Sequence, residues 1–195
     1  MTQRIGHTAM VMAAGLGKRM RPLTASTPKP LVRVGGKALI DYCLDHLAGA
    51  AVDKVIVNVH YLADALEAHL LGVRYPFEIE ISDERSQLLE TGGGLVKAGP
   101  LLGDDPFFCL NSDNIWLDGA RSVFDELRSA WDDKAMDALL LLVPHVRAAN
   151  YRGMGDFWMD QSGHLHRRAA RRIAPFIYSG IQLVSPKLLA DAPEG

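Results

Sequence analysis

The sequence holds only two cysteines, Cys43 and Cys109, and neither lies in a Cys-x-x-Cys pair or has a patterned histidine beside it. That scarcity argues against a disulfide framework or a cysteine-held metal. The apolar segments around both residues read as sites of buried free thiols in a reducing compartment. A dominant charge sign is missing too: 21 Lys and Arg stand against 23 Asp and Glu, a net charge of −2. Such a chain has no global basic field to recruit DNA or RNA, so an anionic ligand must be held by locally placed groups. Before the first glycine turn there is no apolar stretch of signal-peptide length, and no apolar run anywhere is long enough to cross a bilayer. Repeats, low-complexity tracts and Gly/Ser linkers are absent as well. The expectation is a cytoplasmic protein without a nucleic-acid or membrane partner, and the sequence does not specify an oligomeric state.

What is present suits one domain. Hydrophobic residues make up 48% of 195 and charged residues 23%, enough apolar material for a real core. Strand-like and helix-like segments alternate. Thr8–Ala14, Asp53–His60, Phe77–Ile81, Pro106–Leu110 and Ala138–Val143 read as strands, and Ala38–Ala48, Leu62–Leu71, Thr91–Leu102 and Ala120–Trp131 as helices. This order predicts an α/β fold with a mostly parallel central sheet and helices on both faces. After Pro144 the long helices stop. Asp156–Asp160, His164–His166 and Pro175–Val184 read as strands of a small antiparallel flap, so residues 1–143 form a core and 144–195 a flap within a single domain. Ligands of open α/β sheets sit at the carboxyl ends of strands. Here that edge gathers the turns beginning at Gly15, near Glu84 and at Asn111.

The strongest motif runs from Met12 through Ala13, Ala14, Gly15, Gly17, Lys18, Arg19 and Arg21 to Thr24, and continues as Thr27-Pro28-Lys29-Pro30-Leu31. Small residues let a ligand approach the backbone, and Gly15 and Gly17 permit a loop whose N–H groups form an anion-binding concavity. Lys18, Arg19 and Arg21 add three positive charges within four positions, and two prolines stiffen the placement of Lys29. Converging cations on a rigid backbone suit a polyphosphate. Two rival phosphate motifs fail. A Walker A loop needs Ser or Thr after the lysine, where Arg19 stands, and a dinucleotide fingerprint needs a third glycine where Met20 stands.

These residues, 12 to 31, resemble the signature of the sugar-phosphate nucleotidyltransferases, Ala-Ala-Gly-x-Gly-x-Arg-Leu followed by Pro-Leu-Thr and Pro-Lys-Pro-Leu, and weaker matches continue to about residue 184. The resemblance implies a Rossmann-like nucleotidyltransferase fold and a Mg²⁺-dependent reaction of a nucleoside triphosphate with a sugar 1-phosphate. It would place Ala13, Ala14 and Gly15 against the base and ribose, Arg19 on the triphosphate and the leaving pyrophosphate, and Lys29 on the phosphates at the reacting centre. Glu84-Arg85 and Glu90-Thr91-Gly92-Gly93-Gly94 stand where the family faces its nucleobase. Glu84, Thr91, Gly92 and Gly93 are the nucleotide-side candidates there. The triple glycine costs chain entropy that close approach of a flat ligand would explain. Its form is similar to that of the subgroup using UTP and N-acetylmuramate 1-phosphate, which implies a place in peptidoglycan recycling. Asn111-Ser112-Asp113 matches the family's Asn-Gly-Asp segment, with Asp113 as metal ligand and Asn111 beside it; an Asx turn closing the strand is the structural alternative. Asp118 reads as a cap for the following helix.

On the sugar side the resemblance reaches Asn150, Gly155, Asp156 and Gly180, but the family's Glu-Lys-Pro clamp is missing. His164, His166 and the arginines Arg167, Arg168, Arg171 and Arg172 occupy that stretch, either as a solvated face or as groups binding an acidic sugar phosphate. No accompanying ligand motif supports a metal on the two histidines. The second metal carboxylate of the family has no match after Val184, and Asp191 lies in no such context. The sequence therefore reads either as a shortened chain or as a subgroup with another ligand, and an acetyltransferase tail is not expected. Alternative substrate pairs are mannose 1-phosphate with GTP and glucose 1-phosphate with dTTP or UTP. A non-catalytic nucleotide-binding relative is the alternative of another class.

Overall fold

The structure is a computed structural model describing residues 4–148 and 151–190. It opens with β1 (Thr8–Met12), whose three central residues are buried. A short hairpin of β2 (Arg33–Val34) and β3 (Lys37–Ala38) leads into α1 (Leu39–Ala48). Then come β4 (Lys54–Val59), α2 (Ala63–Gly72), β5 (Glu78–Asp83), α3 (Thr91–Leu102), β6 (Phe107–Asn111) and α4 (Val123–Ala130). The last part holds β7 (Ala138–Pro144), β8 (Phe157–Met159), β9 (Leu165–Arg167), β10 (Phe176–Val184) and the short α5 (Lys187–Ala190).

The main sheet has the order β5-β4-β1-β6-β10-β8-β9, with β7 also pairing to β10. The first four strands are mutually parallel. The pairings β10–β6, β10–β7, β10–β8 and β8–β9 are antiparallel. The result is a mixed sheet with a parallel half, as the strand–helix alternation predicts, extended by the hairpin segment after Pro144. Chain order reverses beside β1: the chain moves out through β4 to β5, then returns to β6 on the other side. Such a reversal opens a crevice at the carboxyl ends of the strands.

Alternate residues of each strand serve opposite faces, and both faces are covered. Ala9, Val11, Val55, Val57, Phe108 and Leu110 pack with Leu44 and Leu47 of α1, Leu66 and Leu70 of α2, and Phe124 and Leu127 of α4. Met10, Ile56, Phe107 and Cys109 pack with Leu95, Ala98 and Leu102 of α3. Cys43 and Cys109 are buried and free, as expected. Burial pushes the Cys43 thiol up to about 12 and the Cys109 thiol up to about 11. No helix among the described residues is long and apolar enough to cross a membrane.

Element limits differ from expectation mainly at α4, which begins at Val123 instead of Ala120. The Ser122 hydroxyl accepts from Phe124 N at 3.2 Å, and Asp118 Oδ1 accepts from Val123 N at 3.2 Å. These side chains meet orphan N–H groups of the first turn and set where the helix starts. Arg128 at the far end of α4 ties the helix to the amino edge of the sheet. Its guanidinium donates to the carbonyls of Ile5 at 3.2 Å, Gly6 at 2.8 Å and Ala50 at 2.6 Å, and stands 5.0 Å from the Phe108 ring centroid. Replacing Arg128 with Met keeps the apolar stem but removes donors from three carbonyls. The expected loss of stability in urea denaturation is about 2–3 kcal/mol, with the two-state transition retained.

Candidate active site

The carboxyl ends of β1, β4, β5 and β6 lie along one edge, and a buried polar chain joins three of them. Asn58 of β4 is 2% exposed. Its Oδ1 accepts from Ala13 N at 2.6 Å and Ala14 N at 3.3 Å, and its Nδ2 donates to Glu84 Oε1 at 2.8 Å. Glu84, fully buried just past β5, accepts from Leu89 N through its other oxygen at 3.3 Å. The sequence pattern puts Glu84 at the ligand; the fold instead buries its carboxylate behind the wall, where it fixes the 84–90 loop. Asn58 is the residue that sequence reasoning missed. Its signal is visible in retrospect, as an amide interrupting the β-branched run Lys54–Val59. The N–H groups of Ala13 and Ala14 are turned inward to Asn58, so a ligand meets this stretch through the rest of its backbone.

Gly17 sits in the left-handed region at φ 60°, and a Cβ there would stand 2.9 Å from Thr24 Cγ2 and 3.2 Å from Lys29 Cβ. Thr24 is fully buried and donates to Gly17 O at 2.8 Å. This contact folds the glycine loop onto the Pro-Lys-Pro segment. Pro28 precedes the single helical turn Lys29–Leu31, and Lys29 Nζ pairs with Asp113 Oδ2 just beyond β6. Both partners are partly shielded, with side chains 23% and 34% exposed. The side chains of Lys18, Arg19 and Arg21 are exposed and make no hydrogen bond or ion pair among the described residues.

Two adjoining cavities of about 330 and 660 Å³ share Gly15, Arg19, Lys29, Glu90 and Asp113 and form one groove. Ala13, Ala14, Thr91 and Asn111 line its inner part; Gly17 and Lys18 line its outer part. The groove therefore gathers most of the phosphate-loop candidates with Lys29, Asn111 and Asp113. Gly92 and Gly93 open α3 beside it without lining it. The sequence pattern gives the triple glycine no packing role. The structure gives one to Gly94, where a Cβ would stand 2.9 Å from Glu84 Oε1 and 3.2 Å from Asn58 Nδ2, whereas Gly92 has open space.

The sugar-side candidates divide. Gly180, at φ 81°, lies against Asn111: a Cβ would come within 2.5 Å of Asn111 Nδ2. Gly155, at φ 75°, packs on the Ala174 carbonyl, and its own carbonyl accepts from Arg168 Nε at 2.9 Å. Asp156 Oδ2 accepts from Tyr178 N at 3.0 Å and lines a further cavity of about 380 Å³ with Arg167, Arg168 and Tyr178. Asn150 and Asp191 lie outside the described residues. His164 and His166 both approach Asp160 Oδ2 at 3.4 Å and stay largely exposed, closing the β8–β9 turn.

Among the described residues no group of three or more His, Cys, Asp and Glu could hold a metal ion. The groove offers two carboxylates, Glu90 and Asp113, the second already next to a cation. That donor set does not make a protein cage. It does fit a hard cation such as Mg²⁺, which keeps waters and takes one or two carboxylates together with phosphate oxygens brought by a substrate.

Comparison with known proteins agrees with this geometry. The nucleotidyl transferase family model matches residues 8–158. N-acetylmuramate alpha-1-phosphate uridylyltransferase of Caulobacter vibrioides is 46% identical over 190 residues, covering 96% of this chain and 78% of that protein. The enzyme of the same name from Neisseria meningitidis serogroup B is 45% identical over 106 residues, covering 54% of this chain and 46% of that protein. Among solved structures, HddC from Yersinia pseudotuberculosis superposes with a TM-score of 0.75 at 23% identity, covering 95% of this chain and 80% of that one. The UTP-bound UGPase from Acinetobacter baumannii gives 0.74 at 19% identity, covering 98% and 79%. These structural likenesses show a shared fold.

The glycines of α3 separate packing from ligand approach. Gly94→Ala pushes a methyl into the Glu84–Asn58 link and should cost about 1–3 kcal/mol. Gly92→Ala meets nothing and should leave stability unchanged or raise it by up to about 1 kcal/mol. Urea denaturation of the two variants checks the contrast; equal losses would contradict it.

Proposed function

The chain belongs to the nucleotidyl transferase family, and on that footing we propose that it joins UTP to N-acetylmuramate 1-phosphate, giving the nucleotide sugar and releasing pyrophosphate. One observation carries the reading: a single groove sets the unpaired Arg19 across from the Lys29–Asp113 pair, beside a backbone of small residues. An exposed cation without a partner, aimed into a cavity, is an unmet demand for an anion. The Caulobacter relative, similar along almost the whole chain, carries the name of this reaction. The triple-glycine segment favours the same substrate pair.

The chemistry is an in-line displacement. A phosphate oxygen of the sugar 1-phosphate attacks the α-phosphorus of UTP, and the bond to the bridging oxygen of pyrophosphate breaks. The nucleophile is already anionic, so no protein base is required and positioning supplies much of the rate. Arg19 and Lys18 take the β- and γ-phosphates and the charge that grows on the leaving group. Lys29 contributes a cation at the reacting phosphates. Mg²⁺ held by Asp113 and the substrate phosphates would neutralise charge in the transition state. Gly15, Gly17 and Thr91 let the nucleoside lie close to the backbone, with Gly92 and Gly93 opening α3 beside it, Ala13 and Ala14 as its floor and Glu84 holding the adjacent loop. Lys29, Asn111 and Gly180 face the sugar phosphate, with Gly155 and Asp156 further along the flap. The 1–143 core then binds the nucleotide and residues 144–195 the sugar. N-acetylmuramate is a peptidoglycan sugar, so the reaction belongs to recycling of wall material in the cytoplasm.

The test is pyrophosphate release from a panel of triphosphates and sugar 1-phosphates, with Mg²⁺ and with EDTA. UTP with N-acetylmuramate 1-phosphate should be preferred over GTP with mannose 1-phosphate and over dTTP or UTP with glucose 1-phosphate, and EDTA should abolish turnover. UTP binding without pyrophosphate release would instead mark a non-catalytic relative. Arg19→Ala should lower kcat about 10²–10³-fold while changing stability by less than about 0.5 kcal/mol. Unchanged kcat would refute the role of Arg19.

A further inference from the structure

The cavity along β10 has a chemical character that the groove lacks. It is lined by Asp156, Phe157, Arg167, Arg168 and Tyr178. Its two arginines are not equivalent. Arg168 is consumed by the fold: Nε donates to Gly155 O at 2.9 Å, and Nη1 to Ala169 O at 3.3 Å and Arg172 O at 3.2 Å. Arg167, opposite Phe157 in the β8–β9 register, makes no side-chain hydrogen bond or ion pair among the described residues. Asp156 does not neutralise it, since its Oδ2 is engaged by Tyr178 N and no ion pair forms between them. Burial raises the Tyr178 hydroxyl above its ordinary value, so it remains a donor at neutral pH. One cavity thus holds an uncompensated guanidinium, a hydroxyl donor and a carboxylate oxygen able to accept from a hydroxyl. That combination suits a hydroxylated ligand that itself bears a carboxylate.

The cavity also lies within reach of the groove. Ile181 pairs with Leu110 in antiparallel register, which sets Gly180 level with Asn111. Tyr178 is two residues further back on β10, about 7 Å along the strand, and so beyond the carboxyl end of β6, on the ligand side. A sugar phosphate held at Asn111 and Lys29 would extend its ring toward Tyr178 and Arg167.

We infer that Arg167, with Tyr178 and Asp156, forms a subsite for the lactyl carboxylate of the sugar and so selects N-acetylmuramate 1-phosphate over N-acetylglucosamine 1-phosphate, which lacks that group. This rests on the proposed function and names a specificity-determining residue for it. The guanidinium is a fixed donor fork matched to a carboxylate, and charge-assisted bonds of this kind discriminate strongly.

The experiment measures kcat/KM for both sugar 1-phosphates with UTP and Mg²⁺ in wild type, Arg167→Ala, Arg167→Lys and the outlying control Arg171→Ala. Where turnover of N-acetylglucosamine 1-phosphate is too slow to follow, its inhibition constant against N-acetylmuramate 1-phosphate replaces it. Arg167 is exposed and unbonded, so its variants should fold, and thermal melts verify this. Arg167→Ala should lose roughly ten- to hundred-fold in kcat/KM for N-acetylmuramate 1-phosphate, leave N-acetylglucosamine 1-phosphate within about twofold, and be partly rescued by Arg167→Lys. Arg171→Ala should leave both unchanged. Equal losses for both sugars, or no loss for either, in a wild type that prefers N-acetylmuramate 1-phosphate overturn the subsite alone. A wild type without that preference overturns the substrate reading and the subsite with it.

Discussion

The active edge of the sheet depends on the Asn58 amide. Parallel strands end in loops that need not hold any fixed relation to one another. Here one buried side chain accepts from the loop after β1 and donates to the carboxylate just past β5. Both partners are themselves buried, so losing either leaves unpaired polar groups in a dry interior, a cost of about 1–3 kcal/mol for each neutral group and more for a carboxylate. The link therefore fixes the glycine loop and the 84–90 loop relative to each other before any ligand arrives. Gly94 belongs to the same device, because no side chain fits between α3 and the Glu84–Asn58 contact. Preorganisation of this kind removes reorganisation from the binding step, where a polyphosphate site would otherwise lose affinity.

Electrostatics across the groove are unbalanced in an informative way. The only carboxylate common to both of its parts besides Glu90 is Asp113, and Lys29 already neutralises it. Lys18, Arg19 and Arg21 remain without acidic partners among the described residues, on a chain whose net charge is −2. Several cations elsewhere do find counter-ions: Arg85 meets Asp64, Glu67 and Asp83, Lys54 meets Glu80, and Lys37 meets Asp45. Local excess of one sign in a nearly neutral molecule focuses potential, here where the proposed triphosphate would dock. The Lys29–Asp113 pair plays a different part. On the proposed reading it would keep a carboxylate for the metal and a lysine for the phosphates at hand, with neither charge uncompensated in a partly shielded site.

Much of the fold was legible because period and punctuation agreed. The pattern gives both ends of Thr91–Leu102, since Gly103 cannot continue the helix at φ 80°. The parallel half followed from strand–helix alternation, and the antiparallel extension from the loss of long helices after Pro144. The site was legible where chemistry is packed into contiguous sequence, as in Gly15–Arg19 and Pro28–Pro30. It was not legible where a residue's job depends on a partner far along the chain. Asn58 is 45 residues from Ala13 and 26 from Glu84, and nothing local marks either as half of a link. Glu84 looked like a ligand-facing carboxylate because a buried acid cannot be recognised until its donors are known. Gly94 looked like part of a ligand platform for the same reason.

The flap shows how that limit turns into chemistry. A run of four arginines among six residues reads as one undifferentiated basic patch. The fold divides it by giving Arg168 three backbone carbonyls and leaving Arg167 none. With its Nε and Nη1 committed to backbone carbonyls, Arg168 is the brace that holds the turn around Gly155. Its neighbour Arg167, the last residue of β9, lines the same cavity without such acceptors among the described residues. Charge count alone would assign both the same role, and only the placement of acceptors separates the structural cation from the one available for recognition.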